Sequence, residues 1–275
     1  MGEVTHQQLV VLLGAGRVAT HLAPALMNAG YRIVQIYSRT ADAARALAEP
    51  LGITYTDNLD VVSSEAHIYI ACVADEALPV IAARVARCDD DKVFLHTAGS
   101  ISMDVWRDAG AKHYGILYPL QTFSKERAVD MRQVSLFVEA SDAVTLQVTE
   151  LLARSLSDKV YRADSAMRAQ LHIAAVFACN FTNAMYGIAH QLLGKHQIPF
   201  DVLLPLIDET AAKVHTLTPR EAQTGPAVRA DRKVMQHHIA ALEQTPELQR
   251  LYERKQKQRG SESGKEAVKA VEWKA

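Results

Sequence analysis

The segment Gly14-Ala15-Gly16-Arg17-Val18-Ala19 is a G-x-G-x-x-A fingerprint, and the chemistry it suits is the binding of a dinucleotide. Gly14 would allow a tight turn, Gly16 would let backbone approach a pyrophosphate, and Ala19 is small enough for a helix to pack closely on a strand. The N–H groups at the start of that helix, around Arg17 and Val18, would face the phosphates. The next strand ends in Ser38-Arg39-Thr40, and no carboxylate lies between Val34 and Ala41 to bind a ribose 2′-hydroxyl. Arg39 can instead pair with a 2′-phosphate and stack on adenine, while Ser38 and Thr40 donate hydroxyl hydrogen bonds, which points to NADP over NAD. The competing reading of Arg39 is a solvated loop residue, and the pocket could then take an unrelated phosphate compound.

A second set of candidates consists of polar residues in apolar surroundings. His172, Asn180 and Asn183 recur at offsets of eight and eleven in a long apolar helix, which puts them on one side of it. There they could bind a substrate or carry a proton to it, and histidine is suited to proton transfer near neutral pH. They could equally be a satisfied core histidine and two amides bonded to neighbouring helices. His96, at the end of a strand, is another candidate. The run Thr224-Gly225-Pro226 through Arg229 and Asp231 combines a turn with a possible ion pair, and Arg229 is a candidate substrate contact. His237 and His238 are adjacent, so they point about 100° apart on a helix and do not make a metal site.

The elements that must position these residues alternate. Strands are expected at Gln8–Leu13, Arg32–Tyr37, Thr54–Thr56, His67–Val73, Lys92–Leu95, Tyr114–Leu117 and Ser135–Glu139, with helices over Thr20–Ala29, Ala41–Leu51, Glu76–Ala86 and Ala143–Leu156. This order predicts an α/β fold with a doubly wound, Rossmann-type parallel sheet over residues 1–163. Ligands of such sheets lie beyond the carboxyl ends of the strands. That places Val73, Ala74, Asp75 and Thr97 at the cofactor, and the loops holding Gly99 and Ser100, and Pro119 and Gln121, at the substrate. From Asp164 strand signals vanish. Helices are expected over Ser165–Leu193, Phe200–Val214 and Gly225–Leu242, giving an all-helical domain over 164–245. A charged helix and flexible tail would occupy 246–275.

Composition narrows the class. The chain has 275 residues, 49% hydrophobic composition and a net charge of −1, enough for two moderate cores and without the basic excess that nucleic acid attracts. No apolar run reaches the length of a membrane span, and no basic region followed by an apolar stretch opens the chain, so a cytoplasmic location is expected. Cys72, Cys88 and Cys179 are widely spaced and odd in number, which supports neither a disulfide framework nor zinc. Cys72 and Cys179 sit in apolar runs and read as buried thiols.

With these residues in view, the chain resembles the Rossmann-like proteins that carry the domain of unknown function 2520, which are commonly labelled NADP oxidoreductases. The resemblance rests on the Gly14 to Ala19 fingerprint, the His96-Thr97-Ala98-Gly99-Ser100 and Tyr118-Pro119-Leu120-Gln121-Thr122-Phe123 segments, the His172 to Asn180 helix, and Thr224-Gly225-Pro226 through Arg229, Asp231 and His238. Where the family often has histidine at the head of the proline segment, this chain has Tyr118. A more distant likeness, to pyrroline-5-carboxylate reductases, ketopantoate reductases and β-hydroxyacid dehydrogenases, implies hydride transfer and a helical domain that forms a homodimer. The lysine that donates a proton in the β-hydroxyacid enzymes is absent, because the matching position is Val176. His172 and Asn180 are then the candidate catalytic pair for a small-molecule substrate, and a non-catalytic NADP sensor is the rival reading.

Overall fold

A computed structural model of the chain describes residues 8–86, 91–226 and 228–261. Its centre is one eight-stranded sheet: β1 (Leu9–Leu13), β2 (Arg32–Tyr37), β3 (Thr54–Thr56), β4 (Ile68–Ala71), β5 (Val93–His96), β6 (His113–Leu120), β7 (Ser135–Ala140) and β8 (Lys159–Arg162). The strands lie in the order β3-β2-β1-β4-β5-β6-β7-β8. All neighbours from β3 to β6 pair in parallel, whereas β7 is antiparallel to β6 and β8 runs parallel to β7. The doubly wound sheet expected from the sequence is therefore present, with a reversed pair at one edge. Strand β8 was not foreseen, because only Val160 of its four residues is buried and no alternation marks it.

Helices α1 (Arg17–Asn28), α2 (Ala41–Ala48), α3 (Leu78–Val85), α4 (Asp104–Asp108) and α5 (Ala143–Leu156) connect these strands. The two-residue period of β1 divides its side chains between two cores. Val10 and Leu12 join Ala19, Leu22 and Leu26 of α1 and Leu152 and Leu156 of α5, while Val11 and Leu13 join Leu78, Ile81 and Val85 of α3 and Trp106 of α4. Helix α1 starts three residues earlier than the sequence reading, directly after its N-cap Gly16. Helix α5 is capped by Asp142, whose carboxylate accepts hydrogen bonds from the Val144 and Thr145 N–H groups at 3.0 and 2.9 Å.

Strand β6 runs on through Tyr118, Pro119 and Leu120, which the sequence reading assigned to a loop. The reversed β7 explains the difference, since it pairs as far as Leu120 with Ser135, whereas β5 stops at His96 opposite Ile116. Pro119 thus lies on a stretch with one neighbouring strand, where its missing N–H need not break a ladder.

Helix α6 (Ser165–Ala175) continues into a π-helical segment, Val176–Phe181, and then α7 (Thr182–Gly194). Two compact units divide the chain, the first carrying the sheet and α6 as far as Asn183 and the second beginning at Ala184. Leu171 of α6 packs on Ile116, Tyr118, Phe137 and Ala163 at the β6–β7 end of the sheet. The second unit contains α8 (Leu204–Lys213), α9 (Arg232–Ala241) and α10 (Pro246–Ser261). The helix expected from Gly225 begins only at Arg232, because Asp231 caps it by accepting the Val234 N–H at 3.2 Å and residues 225–230 form turns. Asp231 is thus used as a cap, and His238 on α9 lies with Nδ1 2.8 Å from the Tyr252 hydroxyl. Cys88, Ala227 and the tail 262–275 lie outside the described residues.

Two expectations about the long helix are corrected. Over Ser165–Gly194 it is long and apolar enough, at a mean hydropathy of 1.2, to cross a membrane by length and composition alone. Several of its apolar side chains are exposed: Phe177 is 61% exposed, and Ile173, Phe181 and Met185 are also exposed. Cys179 is exposed, contrary to expectation, while Cys72 is buried as expected.

One buried ion pair fastens α6 to the reversed strand. Arg168, 1% exposed, meets Glu139 of β7, and the Ser165 N–H also donates to the Glu139 carboxylate at 3.2 Å. Removing one partner leaves the other charge buried, so Glu139→Gln should lower the unfolding free energy by about 3 kcal/mol in a urea melt. A change under about 0.5 kcal/mol, the usual size of a surface substitution, would show that the pair does not hold α6 in place.

Candidate functional site

The β1–α1 turn is shaped for a ligand. Gly14 has φ +115°, and its N–H donates to the Tyr37 carbonyl at 2.7 Å. A Cβ there would run into the Cys72 carbonyl and lie 2.9 Å from the Val73 side chain. At Gly16 a Cβ would meet only the Cys72 carbonyl, at an ordinary 3.8 Å, so nothing in the protein itself demands glycine at that position. The absence of a side chain there is useful to something approaching from outside. Gly16 caps α1 without any side-chain hydrogen bond, and the first turn holds no acidic residue. Its N–H groups are therefore left for an anion, which fits a pyrophosphate.

A cavity of about 600 Å³ opens at this turn, lined by Gly14, Gly16, Ser38, Arg39, Thr40, Val73 and Ala74, with Leu59, Ala77, Val80 and Ile81 among its apolar walls. The structure thus brings seven of the twelve sequence-selected cofactor residues to one groove. Arg39 is exposed and makes no ion pair with another described residue, so its guanidinium is available to an incoming phosphate. The remaining five have different placements. Arg17 is exposed on the first turn of α1, Val18 is half-buried beside it, Ala19 is buried under the helix, and Asp75 is exposed just beyond Ala74. Thr97 is buried, and its N–H and hydroxyl both donate to the Ala71 carbonyl, at 3.0 and 3.3 Å. Burial pushes the Cys72 thiol up to about 12, leaving it unreactive behind the turn.

Farther along the same edge, the loop after β5 meets β6 and α6. The Tyr118 hydroxyl lies 3.1 Å from Nδ1 of His172. Gly99 is wedged between them, since a Cβ there would fall 2.8 Å from both His172 Nδ1 and Tyr118 Cζ. The loop is held by two side chains. His96 accepts the Ala98 N–H at Nδ1 (3.2 Å) and its Nε2 faces the Ser102 carbonyl at 3.4 Å, while Arg168 donates from Nη2 to the Ile101 carbonyl at 2.5 Å. The neutral His96 that satisfies both contacts carries its hydrogen on Nε2.

His96 is completely buried with both ring nitrogens engaged, an arrangement suited to shaping the loop rather than to exchanging protons with a ligand. His172 is half-buried and has the Tyr118 phenol as a partner. Asn180 and Asn183 are exposed and bond no other described residue through their side chains. A π-helical segment, Val176–Phe181, includes Asn180 and lies between His172 and Asn183, so the regular helical spacing between them is interrupted. Ser100 and Gln121 are exposed, and the Gln121 side chain accepts the Thr122 N–H at 2.7 Å. Arg229 belongs to the second unit, exposed in the turn before α9. Among the described residues no three histidine, cysteine or carboxylate groups converge as metal ligands.

Arg168 and Glu139 were missed by sequence reasoning. Their signal was a charge inside an apolar pattern, an arginine one turn before His172 and a glutamate closing the apolar run Leu136-Phe137-Val138, since buried charges require partners.

Two predictions follow from this geometry. Gly14→Ala should destabilise the free protein by about 2 kcal/mol through backbone strain and collision, whereas Gly16→Ala should leave its melting unchanged and weaken binding of a nicotinamide dinucleotide at least about tenfold. Equal effects of the two substitutions on melting would contradict the separate roles. Burial, opposed by the Ser102 hydrogen bond and aided by the Arg168 charge, lowers His96 from its ordinary 6.5 to about 3. Between those values only the unfolded chain binds the proton, so this group should remove up to about 1.4 kcal/mol of stability per pH unit as pH falls, and none above the window. Urea melts at pH 7, 5.5 and 4.5 should show that slope reduced in His96→Gln, and identical slopes would rule it out.

The chain can now be set beside known proteins. Residues 9–98 match the family model described as NADP oxidoreductase coenzyme F420-dependent, and residues 134–258 match the domain of unknown function DUF2520. No curated protein matches the chain. Among solved structures, a "putative NADP oxidoreductase" of Bacteroides fragilis is 47% identical, with a TM-score of 0.87 over 92% of this chain and 97% of its own. The imine reductase of Myxococcus stipitatus, solved with NADP+, is 16% identical with a TM-score of 0.64 over 90% of this chain and 92% of its own. The 1-pyrroline-5-carboxylate reductase of Streptococcus pyogenes is 11% identical with a TM-score of 0.62 over 92% of this chain and 98% of its own. These last two likenesses concern the fold. With a nicotinamide-dinucleotide oxidoreductase fold at its N-terminal end and the DUF2520 sequence after it, the chain belongs to the family of the Bacteroides fragilis protein, the Rossmann-like DUF2520 proteins.

Proposed function

We propose that this protein is an NADP-dependent oxidoreductase that moves a hydride between the nicotinamide and a small carbonyl, imine or hydroxy compound. The observation that carries the reading is the cavity in which the Gly14–Gly16 turn faces Ser38-Arg39-Thr40, with a guanidinium where an NAD site would have a carboxylate. The nicotinamide, when bound, supplies or accepts the hydride. The first-turn N–H groups of α1 would hold the pyrophosphate, and Arg39 would pair with the 2′-phosphate and stack on the adenine. From there the dinucleotide would extend along the carboxyl edge of the sheet past Val73 and Thr97 toward the loop of Gly99. His172 would hold or deliver the proton that accompanies the hydride, and Asn180 would orient the substrate. A protein that only reported NADP levels would have no use for a histidine–phenol pair at the end of this path, which favours the enzyme over the sensor.

The same proposal includes a homodimer and a cytoplasmic location. The uncovered apolar residues Ile173, Phe177 and Phe181 are the kind of surface a second copy would cover, and Cys72 and Cys179 are free thiols, as a reducing compartment would keep them.

Arg39→Ala should weaken NADPH much more than NADH, by roughly 1.5–3 kcal/mol for the lost charge-assisted hydrogen bond, since NADH loses only the stacking on adenine. Equal losses for the two cofactors would remove Arg39 from the phosphate site. Small cyclic imines and carbonyls that oxidise NADPH in the presence of the protein would identify the substrate class.

A further inference from the structure

Read from the sequence alone, Tyr118 has no assigned part in the chemistry. The geometry points to one: we propose that Tyr118 is a positioning residue that holds the His172 ring in a single orientation through both of its protonation states, with Nε2 directed away from the phenol and toward the substrate. This deepens the reading of His172 as the proton-handling group and rests on it.

Three observations support the assignment. The Tyr118 side chain is nearly buried, and His172 Nδ1, at 3.1 Å, is its hydroxyl's one hydrogen-bond partner among the described residues. A buried hydroxyl places its hydrogen on whatever acceptor it has, so the phenol donates to Nδ1 and the neutral ring carries its own hydrogen on Nε2. The missing side chain of Gly99 allows the loop to close over this contact, because any Cβ there would press on both of its members. The phenol is also the right kind of partner for a proton cycle. Solvent supplies the second proton, giving an imidazolium whose Nδ1–H donates to the Tyr118 oxygen; when the Nε2–H bond breaks and that proton passes to the substrate, Nδ1 keeps its hydrogen and its bond to the phenol oxygen. Solvent then reprotonates Nε2, loss of the Nδ1 proton to solvent restores the resting ring with the phenol again donating, and no electrons leave the pair. Phenylalanine could do neither, and an ammonium or carboxylate would match only one state.

The ionisable groups around the pair are Arg168 on α6, one turn before His172, Glu139 on β7 and His96 at the end of β5. Arg168 is neutralised by Glu139 and bonded to the Ile101 carbonyl, and His96 is engaged by Ala98 and Ser102. Burial raises the Tyr118 phenol above its ordinary value, with the Arg168 charge opposing, so it stays protonated at neutral pH.

The test is histidine side-chain nitrogen NMR on the ¹⁵N-labelled, full-length protein with NADPH bound, comparing wild type, Tyr118→Phe and Gly99→Ala, with His172→Gln to assign the signals. In wild type the neutral His172 ring should show an unprotonated Nδ1 and a protonated Nε2 without averaging. In Tyr118→Phe, which keeps the ring packing on Phe137, both nitrogens should move toward the averaged positions of exchanging tautomers. Gly99→Ala should do the same by wedging the contact apart, and serves if the first variant does not fold. Unchanged His172 signals in either folded variant would overturn the assignment. The readout needs no substrate, so its failure is distinct from failure of the oxidoreductase reading, which would appear as absence of NADPH binding or of turnover.

Discussion

Arg168 is an arginine with almost no solvent contact, and a guanidinium in that position must be satisfied or the fold pays several kcal/mol for it. Three parts of the first unit engage its two terminal nitrogens, the Glu139 carboxylate from the reversed strand β7, the Ser165 hydroxyl from its own helix, and the Ile101 carbonyl from the loop after β5, while Nε has no partner among the described residues. One side chain therefore sets the distance between a strand, a helix and a loop. His172 sits one turn farther along α6 and Gly99 two residues before Ile101, so the contact of His172 with Tyr118 inherits its geometry from this pair. Burying a charge to fix position, at some cost in stability, is a reasonable device where a ring must be held to within a hydrogen-bond length.

The reversal of β7 belongs to the same arrangement. Because β7 runs against β6, it extends the pairing of β6 beyond the end of β5, and Tyr118 is carried past the sheet's parallel part on a rigid strand. A loop would have given the phenol more freedom. At the other end of the site the β1–α1 turn is fixed just as firmly, with Gly14 forced against the Cys72 carbonyl and the thiol of Cys72 sealed beneath it. Between these fixed points run the strand ends of β4 and β5, which is the path expected for a ligand of a doubly wound sheet.

Much of this was legible in the sequence because it follows from local rules. Strand β2, β3 and helix α5 fall at the residues their patterns give, and the glycine turn appears where strand, glycines and helix occur in order. What could not be read depends on partners far away in the chain. Nothing local in Tyr118-Pro119-Leu120 says that a later strand will pair with it, and nothing in Val176–Phe181 says that the helix will widen there. Cys179 read as buried because its neighbours are apolar, yet it is exposed. Arg168 and Glu139 were visible only as charges in the wrong places.

The central claim is that the groove at Gly14 and Arg39 takes a nicotinamide dinucleotide bearing a 2′-phosphate. Titration of the purified protein with NADPH and with NADH, followed by nicotinamide fluorescence, tests it most directly. The account predicts saturable binding of NADPH at least about tenfold tighter than NADH, a difference of about 1.4 kcal/mol. Equal affinities, a preference for NADH, or binding of neither would contradict it.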